Sequence, residues 1–256
     1  TSDLNETRVL ATELAENPIA MENKSGTFVA DSVETRAKIK DGLYFRAIEN
    51  HEKQFKGYRK AGGTLKRREF NEQVSKEMRN PTTNDVHIKN SAQGWRNELY
   101  EPLKKEMIDA RLLPEDIEVK TAASYLNRVW NKQKIRSKLD LFVNKTATWL
   151  KGQQGKTADL SDEELEDLAR EIATRITSTP DGRLPYNYKI GENTNKSKGT
   201  GKTALRGPLR ERSFNIPDNL VEEFLENDVE LLGARYLRGL AVDIELVKRF
   251  DDVNMT

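Results

Sequence analysis

The sequence predicts an all-α protein: a bundle-like array of several helices with a long, basic, irregular loop before the last of them. Apolar residues recur every three or four positions along most of the chain, which is the spacing of a helix face. Sustained period-two alternation is absent from the sequence, which argues against a sheet of any size. Between Ser178 and Ile216 the helical spacing stops, for longer than a compact domain usually tolerates.

Capping and turn residues divide the first part of this pattern into helices. A short helix over Leu4–Leu14 ends at Asn17–Pro18, because the residue before a proline disfavours helical geometry. Asp31 is predicted to cap the next helix, which stops at Gly62–Gly63. A third helix follows and closes at Asn80–Pro81.

The later helices follow the same logic. One is predicted over Asp85–Leu113, where Pro102 should kink or split it. The apolar pattern then repeats over Val119–Leu150 and ends at Gly152. We expect four divisions: an N-terminal helical segment 1–63, a central helical domain 64–178, a basic loop 179–216, and a C-terminal helical segment 217–256 that packs on the core.

Composition restricts the function classes. The 256 residues include 43 basic and 42 acidic side chains, so any attraction to nucleic acid must come from a local patch. Cysteine is absent, which excludes disulfides and fits a reducing compartment. No apolar run approaches the roughly 20 residues that span a bilayer. Because the sequence begins at Thr1 without an initiator Met, we expect it to be a piece of a longer polypeptide.

The long loop concentrates positive charge. Such a segment is a binding arm, an interface extension or a disordered stretch, and the sequence leaves these alternatives open. As a binding arm over 189–212 it would contact DNA weakly and in a salt-sensitive way, independently of base sequence. Its candidate DNA or subunit contacts are Lys189, Lys196, Lys198, Lys202, Arg206, Arg210 and Arg212.

Gly199–Thr203 lies inside this loop and reads Gly-Thr-Gly-Lys-Thr, which ends like a phosphate-binding loop. A Walker A loop has a further glycine five residues before its Gly-Lys-Thr, and Lys196 occupies that position. Such a loop should also follow a buried strand and open a helix, but Gly207–Pro208 interrupts any helix soon after it. A nucleotide-dependent enzyme is therefore the least favoured reading.

Other catalytic patterns are incomplete. His51 begins a zinc-protease pattern, but Phe55 occupies the place of its second histidine. We interpret His51 and His87 as surface or helix-face residues. The acidic run Asp159–Asp167 is typical of a solvated first helical turn. No catalytic residue, cofactor, metal ion or small-molecule substrate is predicted.

The residues around Ser161 and the aromatic residues beside arginines are better explained by a structural role than by a catalytic or binding one. Ser161 followed by Glu164 is a capping box for a helix. Trp95 and Tyr236 lie beside arginines, as base-stacking residues often do, but they also lie on apolar helix faces. Core packing is therefore the favoured reading for these aromatics, whereas Trp130 lies off its apolar stripe.

The order of residues adds a resemblance. The segments Phe70–Val74, Pro102–Glu106, Ala110–Leu113 and Thr121–Asn131 resemble a helical region of very long phage and prophage polypeptides. Those polypeptides are the internal virion proteins, or ejection proteins, of short-tailed phages.

The C-terminal part of the chain is similar to the end of that same region. The matching segments are Arg212–Asp218, Phe224–Val229 and Tyr236–Ala241. The resemblance covers roughly residues 64–250; residues 1–63 have no such match, and the resemblance assigns them no role.

The resemblance implies a non-enzymatic assembly segment, stored in the capsid interior and expelled with the genome to help form a conduit through the host envelope. It implies homo-oligomers and other virion proteins as partners, with genomic DNA as a further partner. The last helices also carry apolar residues that either pack internally or contact another subunit. Those candidate interface residues are Phe224, Leu231, Tyr236, Leu240, Ile244 and Phe250.

Overall fold

The computed structural model describes residues 32–112, 128–153, 160–178 and 216–250, together with Thr7 and Leu14. Of these residues 80% are helical, and none belongs to a strand. One isolated antiparallel bridge joins Trp130 to Leu225. The predicted all-α class is confirmed for this part of the chain.

The chain divides into two compact units. The described residues of the first unit are 32–112 and 228–250, and those of the second unit are 128–153, 160–178 and 216–227. The first unit therefore joins segments that the predicted divisions 1–63, 64–178 and 217–256 keep apart. The division differs because helices distant in sequence share a core, which local composition does not reveal.

Helices of the first unit follow the chain up to residue 112, and one helix joins them from near the C-terminus. They are α1 (Val33–Ile39), α2 (Asp41–Lys60), α3 (Arg67–Arg79), α4 (Val86–Trp95), a π-helical turn (Arg96–Tyr100), α5 (Glu101–Asp109) and α10 (Val229–Phe250). α10 packs against α1, α2, α3 and α5, while α4 packs against both α2 and α3.

Local chemistry explains several helix ends. The Ser32 hydroxyl accepts from the Thr35 N–H and caps α1, so the observed cap is one residue beyond the predicted Asp31. α2 ends just before Gly62, whose φ of 90° lies in the left-handed region that glycine adopts readily. α4 begins next to Asp85, where a helix is predicted to start, and the Asp85 carboxylate accepts from two backbone N–H groups there.

Pro102 splits its helix as predicted, and it does so through a π-helical turn. Arg96–Tyr100 forms that turn, and the Glu101 N–H donates to the Arg96 carbonyl, five residues earlier. Proline has no N–H to continue the ladder, so a wider turn before it accommodates the missing hydrogen bond. Arg96 also donates to the Glu77 and Met78 carbonyls, which fastens this turn to the end of α3.

Helices of the second unit surround an apolar cluster. They are α6 (Lys132–Ser137), α7 (Leu139–Lys151), α8 (Asp162–Ser178) and α9 (Asp218–Val221), which a 3₁₀ turn (Glu222–Phe224) follows. The ring of Phe142 meets the rings of Trp130 and Phe224 edge-on, at 5.6 and 5.1 Å between centroids. Ile172 and Ile176 of α8 complete this centre.

The predicted helix over Val119–Leu150 is wrong in its described part before α6. Residues 128–131 are non-helical, and Trp130 forms the bridge to Leu225. The Asn131 N–H donates to the Phe224 carbonyl, and the Glu226 N–H donates to the Val129 carbonyl. These long-range partners satisfy backbone groups that a helix would have used.

Two of the predicted helix signals in this unit are confirmed. The Ser161 N–H donates to Glu164 Oε2 at 2.8 Å, and the Glu164 N–H donates to Ser161 Oγ at 3.3 Å, which is the predicted capping box. α7 ends at Lys151, next to Gly152. Within the described part of the chain, no helix has the length and apolar composition needed to cross a bilayer.

Candidate functional site

His51 lies in the core of the first unit, with none of its surface exposed. Of the two interpretations, surface or helix face, the surface one is therefore wrong, because His51 lies on the buried face of α2. Ala47 and Tyr58, four residues before it and seven after it on α2, are also buried. That helical spacing was the signal in the sequence that placed His51 on the buried face.

Both ring nitrogens of His51 are engaged by neighbouring helices. Nδ1 lies 2.6 Å from Ser91 Oγ and accepts from Trp95 Nε1–H at 3.2 Å, both on α4. Nε2 lies 2.8 Å from Asn71 Oδ1 on α3. Because the indole N–H can only donate, Nδ1 must carry a lone pair, and the proton of the neutral ring lies on Nε2.

The network continues from Asn71 to α10. Asn71 Nδ2 donates to Asp228 Oδ1 at 3.0 Å. The same carboxylate oxygen accepts from the Glu230 backbone N–H at 3.1 Å, as an N-cap residue does. One chain of hydrogen bonds therefore joins α2 and α3 to the first turn of α10.

An ion-pair cluster lies beside this chain. Arg67 donates through Nε and Nη2 to Glu230 Oε1, at 2.8 and 2.6 Å, and through Nη1 to Glu52. Glu230 Oε1 also lies 3.4 Å from His51 Nε2. The carboxylate of Glu230 is thus shared between a guanidinium and the buried imidazole.

Burial lowers the pKa of His51 below its usual value, because a charged ring would lose its hydration. The hydrogen bond to Asn71 acts in the opposite direction, and the Arg67 charge reinforces the effect of burial. The carboxylates of Glu230 and Asp228 favour the charged ring but do not outweigh the other causes. His51 is accordingly neutral near pH 7.

The hydrogen-bonded series Ser91, His51 and Asn71 has the connectivity of a nucleophile, a base and an orienting amide. A nucleophile must, however, reach a substrate. Ser91 and His51 have no exposed surface, and Trp95 covers the same nitrogen that Ser91 contacts. The arrangement joins helices, and neither the hydroxyl nor the imidazole is exposed to solvent.

A second polar cluster closes the other end of the first unit. The Lys40 ammonium, between α1 and α2, contacts Glu106 of α5 and lies 2.8 Å from Glu245 Oε1 of α10. Lys248 lies 2.6 Å from Glu106 Oε2. Burial opposes the ionisation of Glu106, but Lys248 and Lys40 together hold its pKa below the usual value.

His87 lies half-buried on α4, where its Nδ1 is 3.2 Å from Gln54 Oε1. It faces an open groove of about 660 Å³ that runs along α2 from Phe45 to Lys60. A Cβ at Gly57 would lie 2.6 Å from the His87 ring, so the glycine allows this close approach. No group of three or more His, Asp or Glu side chains among the described residues could hold a metal ion.

The structure places the predicted interface residues in two environments. Phe224 is fully buried in the second unit, and Tyr236, Leu240 and Ile244 are fully buried in the first. These four side chains pack internally, so the folded chain does not present them to another subunit. Leu231 is 39% exposed and is the candidate that a partner could contact most readily. Phe250, at the end of α10, is half-buried.

The other predicted features are the aromatic residues, which lie in the core, and the basic loop, which lies outside the described residues. Trp95 and Tyr236 are core residues, as the apolar spacing predicts, and Trp130 is also buried although it lies off its stripe. The basic loop is outside the described residues, so DNA binding stays a prediction. The predicted features that lie in this loop are Lys189, Lys196, Lys198, Lys202, Arg206, Arg210, Arg212 and the Gly199–Thr203 motif.

Comparison with known proteins gives no family assignment. No family model, curated protein or solved structure matches this chain. The residues themselves and their packing within each unit are therefore the basis for the function proposed below.

Proposed function

We propose that this chain is a non-catalytic structural and assembly segment of an internal virion protein, expelled with a phage genome to help form a delivery conduit through the host envelope. The observation that carries the non-catalytic part is the sealed network of His51. Its Ser91 and Asn71 partners have the chemistry of a catalytic relay, yet all three side chains are buried and join α10 to α2, α3 and α4.

The class of protein comes from the sequence resemblance, and the physical chemistry of the fold is compatible with it. Both units are held by side-chain packing, hydrogen bonds and ion pairs, and the sequence contains no cysteine. A protein that must unfold to pass a narrow tail therefore has no covalent crosslink to break. Unfolding and refolding should be reversible for the full chain.

An exposed part of α10 is the surface that we assign to assembly. Leu231 and Val242 are large apolar side chains, 39% and 45% exposed, on a helix whose other face is buried. Solvated leucine and valine become favourable contacts when a second subunit removes them from water. The proposed partner is another copy of this chain or another virion protein.

The test is assembly of the full chain after complete unfolding. We expect dilution from urea to restore the helical signal and to give discrete, ring-like oligomers by light scattering and electron microscopy. Leu231→Glu should leave the fold intact and abolish the oligomers. Leu141→Glu is the matched control, because Leu141 is 42% exposed on α7 of the second unit.

Two results would contradict this proposal. One is a chain that refolds but stays monomeric at every concentration. The other is a pair of variants that lose assembly equally, since a surface on α10 predicts that only Leu231→Glu has this effect.

A further inference from the structure

We propose that His51 is an acid-sensitive latch, which holds the first turns of α10 on α2, α3 and α4 while its ring is neutral and releases them when the ring is protonated. The geometry that supports this proposal is the pair of hydrogen-bond routes that leave the ring, one through Trp95 and one through Asn71. The latch does not depend on the assembly role proposed above.

The Nδ1 side of the ring cannot accept a proton without moving a neighbour. Trp95 Nε1–H points at the Nδ1 lone pair over 3.2 Å. Protonation would place a second N–H in that space, and an indole N–H has no acceptor to offer it. Ser91 can rotate its hydroxyl and accept from the new proton, but Trp95 cannot adapt in this way and must shift.

A shift of Trp95 acts directly on α10. Its ring is fully buried against Gly233, where a Cβ would lie only 2.5 Å from Trp95 Cζ3. Such close packing leaves no free space between the ring and the helix backbone. Movement of the indole in that direction therefore displaces the second turn of α10.

The Nε2 side reaches the start of the same helix. Asn71 accepts from His51 and donates to Asp228, whose carboxylate caps the first turn of α10. Glu230 lies within 3.4 Å of Nε2, but its nearer oxygen already accepts two hydrogen bonds from Arg67. An imidazolium would therefore compete with Arg67 for Glu230.

The charges around the ring oppose one another. Asp228 and Glu230 favour protonation, whereas Arg67 of α3 and burial oppose it. α4 contributes only the neutral groups Ser91 and Trp95 to the ring.

Three further charged or titratable groups on or near α2 are engaged elsewhere. Arg46 pairs with Glu98 of the π-helical turn. Lys40 contacts Glu106 and Glu245. His87 of α4 lies against Gln54.

The direction of the pH effect follows from these contacts. His51 takes up a proton more readily when α10 is released than when it is closed, because release exposes the ring to water. Closure is therefore most favourable above about pH 6.5, the usual pKa of histidine. Below that value the closed-to-open ratio falls by up to about tenfold per pH unit, until the closed form itself becomes protonated.

Amide hydrogen exchange of the full chain tests the latch, with rates corrected for the intrinsic effect of pH. In a series from pH 7.5 to pH 5.0 we expect the opening of the first half of α10 to change little above about pH 6.5 and to increase below it by up to about tenfold per pH unit. His51→Gln cannot titrate and should remove this dependence. His87→Gln is the matched control and should behave as the unmodified chain does.

Nitrogen NMR of the unmodified chain provides a second test, which holds even if His51→Gln does not fold. Nδ1 of His51 should be unprotonated at pH 7.5, and its protonation should coincide with faster exchange in α10. Three results would overturn the proposal: a proton on Nδ1 at pH 7.5, protonation of His51 without a change in α10, or an unchanged pH dependence in a folded His51→Gln variant.

Discussion

The interiors of the two units are both largely apolar, but they differ in their buried polar groups. In the first unit, His51, Asn71 and Ser91 are buried at the centre and hydrogen-bonded across three helices. In the second unit, the core cluster consists of apolar side chains, with Phe142 and Phe224 in edge-on contact at its centre. Both arrangements close a compact helical unit, yet they should respond differently to substitution and to pH.

The difference lies in direction and in charge. Apolar packing stabilises in proportion to the area removed from water and tolerates small adjustments. A buried hydrogen-bond network requires fixed donors and acceptors, because an unpaired polar group in the core is costly. We therefore expect the first unit to be sensitive to protonation and the second unit to be sensitive mainly to loss of volume.

The largest effect is expected in the second unit from Phe224→Ala. Removal of a fully buried ring that packs on Phe142 should cost about 3–5 kcal/mol of that unit's free energy of unfolding. Exchange protection should fall in α7 and α8. The control is Leu220→Ala at a 39% exposed position of α9, which should cost less than about 1 kcal/mol.

A failure of this prediction would break the comparison. If Phe224→Ala lowered the free energy of unfolding of the second unit no more than Leu220→Ala did, apolar packing around Phe142 could not be the main stabilising contribution.

In the first unit, Glu245→Gln should have an intermediate effect. Glu245 is almost fully buried and lies 2.8 Å from the Lys40 ammonium. Loss of its charge therefore weakens an ion pair that is shielded from solvent. We expect a loss of about 1–3 kcal/mol, because Glu106 remains to balance Lys40. Chemical denaturation at pH 7.5 measures this change.

An exposed ion pair of the same unit provides the matched control. Arg46 and Glu98 have side chains that are 58% and 40% exposed, so Arg46→Gln should change the free energy of unfolding by less than about 1 kcal/mol. Equal effects of Arg46→Gln and Glu245→Gln would argue against a special contribution from the buried cluster.

The smallest effects are expected from two glycines in helices of the first unit. Gly233→Ala should destabilise by about 1–2 kcal/mol, because strain against Trp95 exceeds the gain in helix propensity. Gly42→Ala has open space around the new Cβ and should stabilise by about 0.5–1 kcal/mol. Thermal unfolding compares the pair, and stabilisation by both would show that Trp95 has room to move.

Periodicity and caps predicted much of the fold. The stripe Ile88, Ala92, Trp95, Leu99, Leu103 and Met107 is buried throughout, and Asp85 and Gly62 mark helix ends as expected. These features are local, because a helix face and its cap are determined by residues within a few positions of each other.

The features that could not be predicted are non-local. Helical spacing indicates that His51 is buried but not which groups it contacts, because its partners lie 20, 40 and 44 residues away on other helices. The bridge at Trp130 depends on Leu225, which lies on a different segment of the chain. The packing of α10 against helices that precede residue 112 is likewise a contact between distant segments.

The most direct test of the difference between the units is urea-dependent hydrogen exchange at pH 7.5 and pH 5.5, which gives a free energy of unfolding for each unit in one sample. The chain contains two histidines, His51 and His87, and both lie in the first unit. Aspartate and glutamate usually titrate near pH 4, below this range. We predict that the free energy of unfolding measured from α2 and α4 of the first unit is lower at pH 5.5 than at pH 7.5. The value measured from α7 and α8 of the second unit should be unchanged. An equal fall in both units, or no fall in the first, would contradict this account.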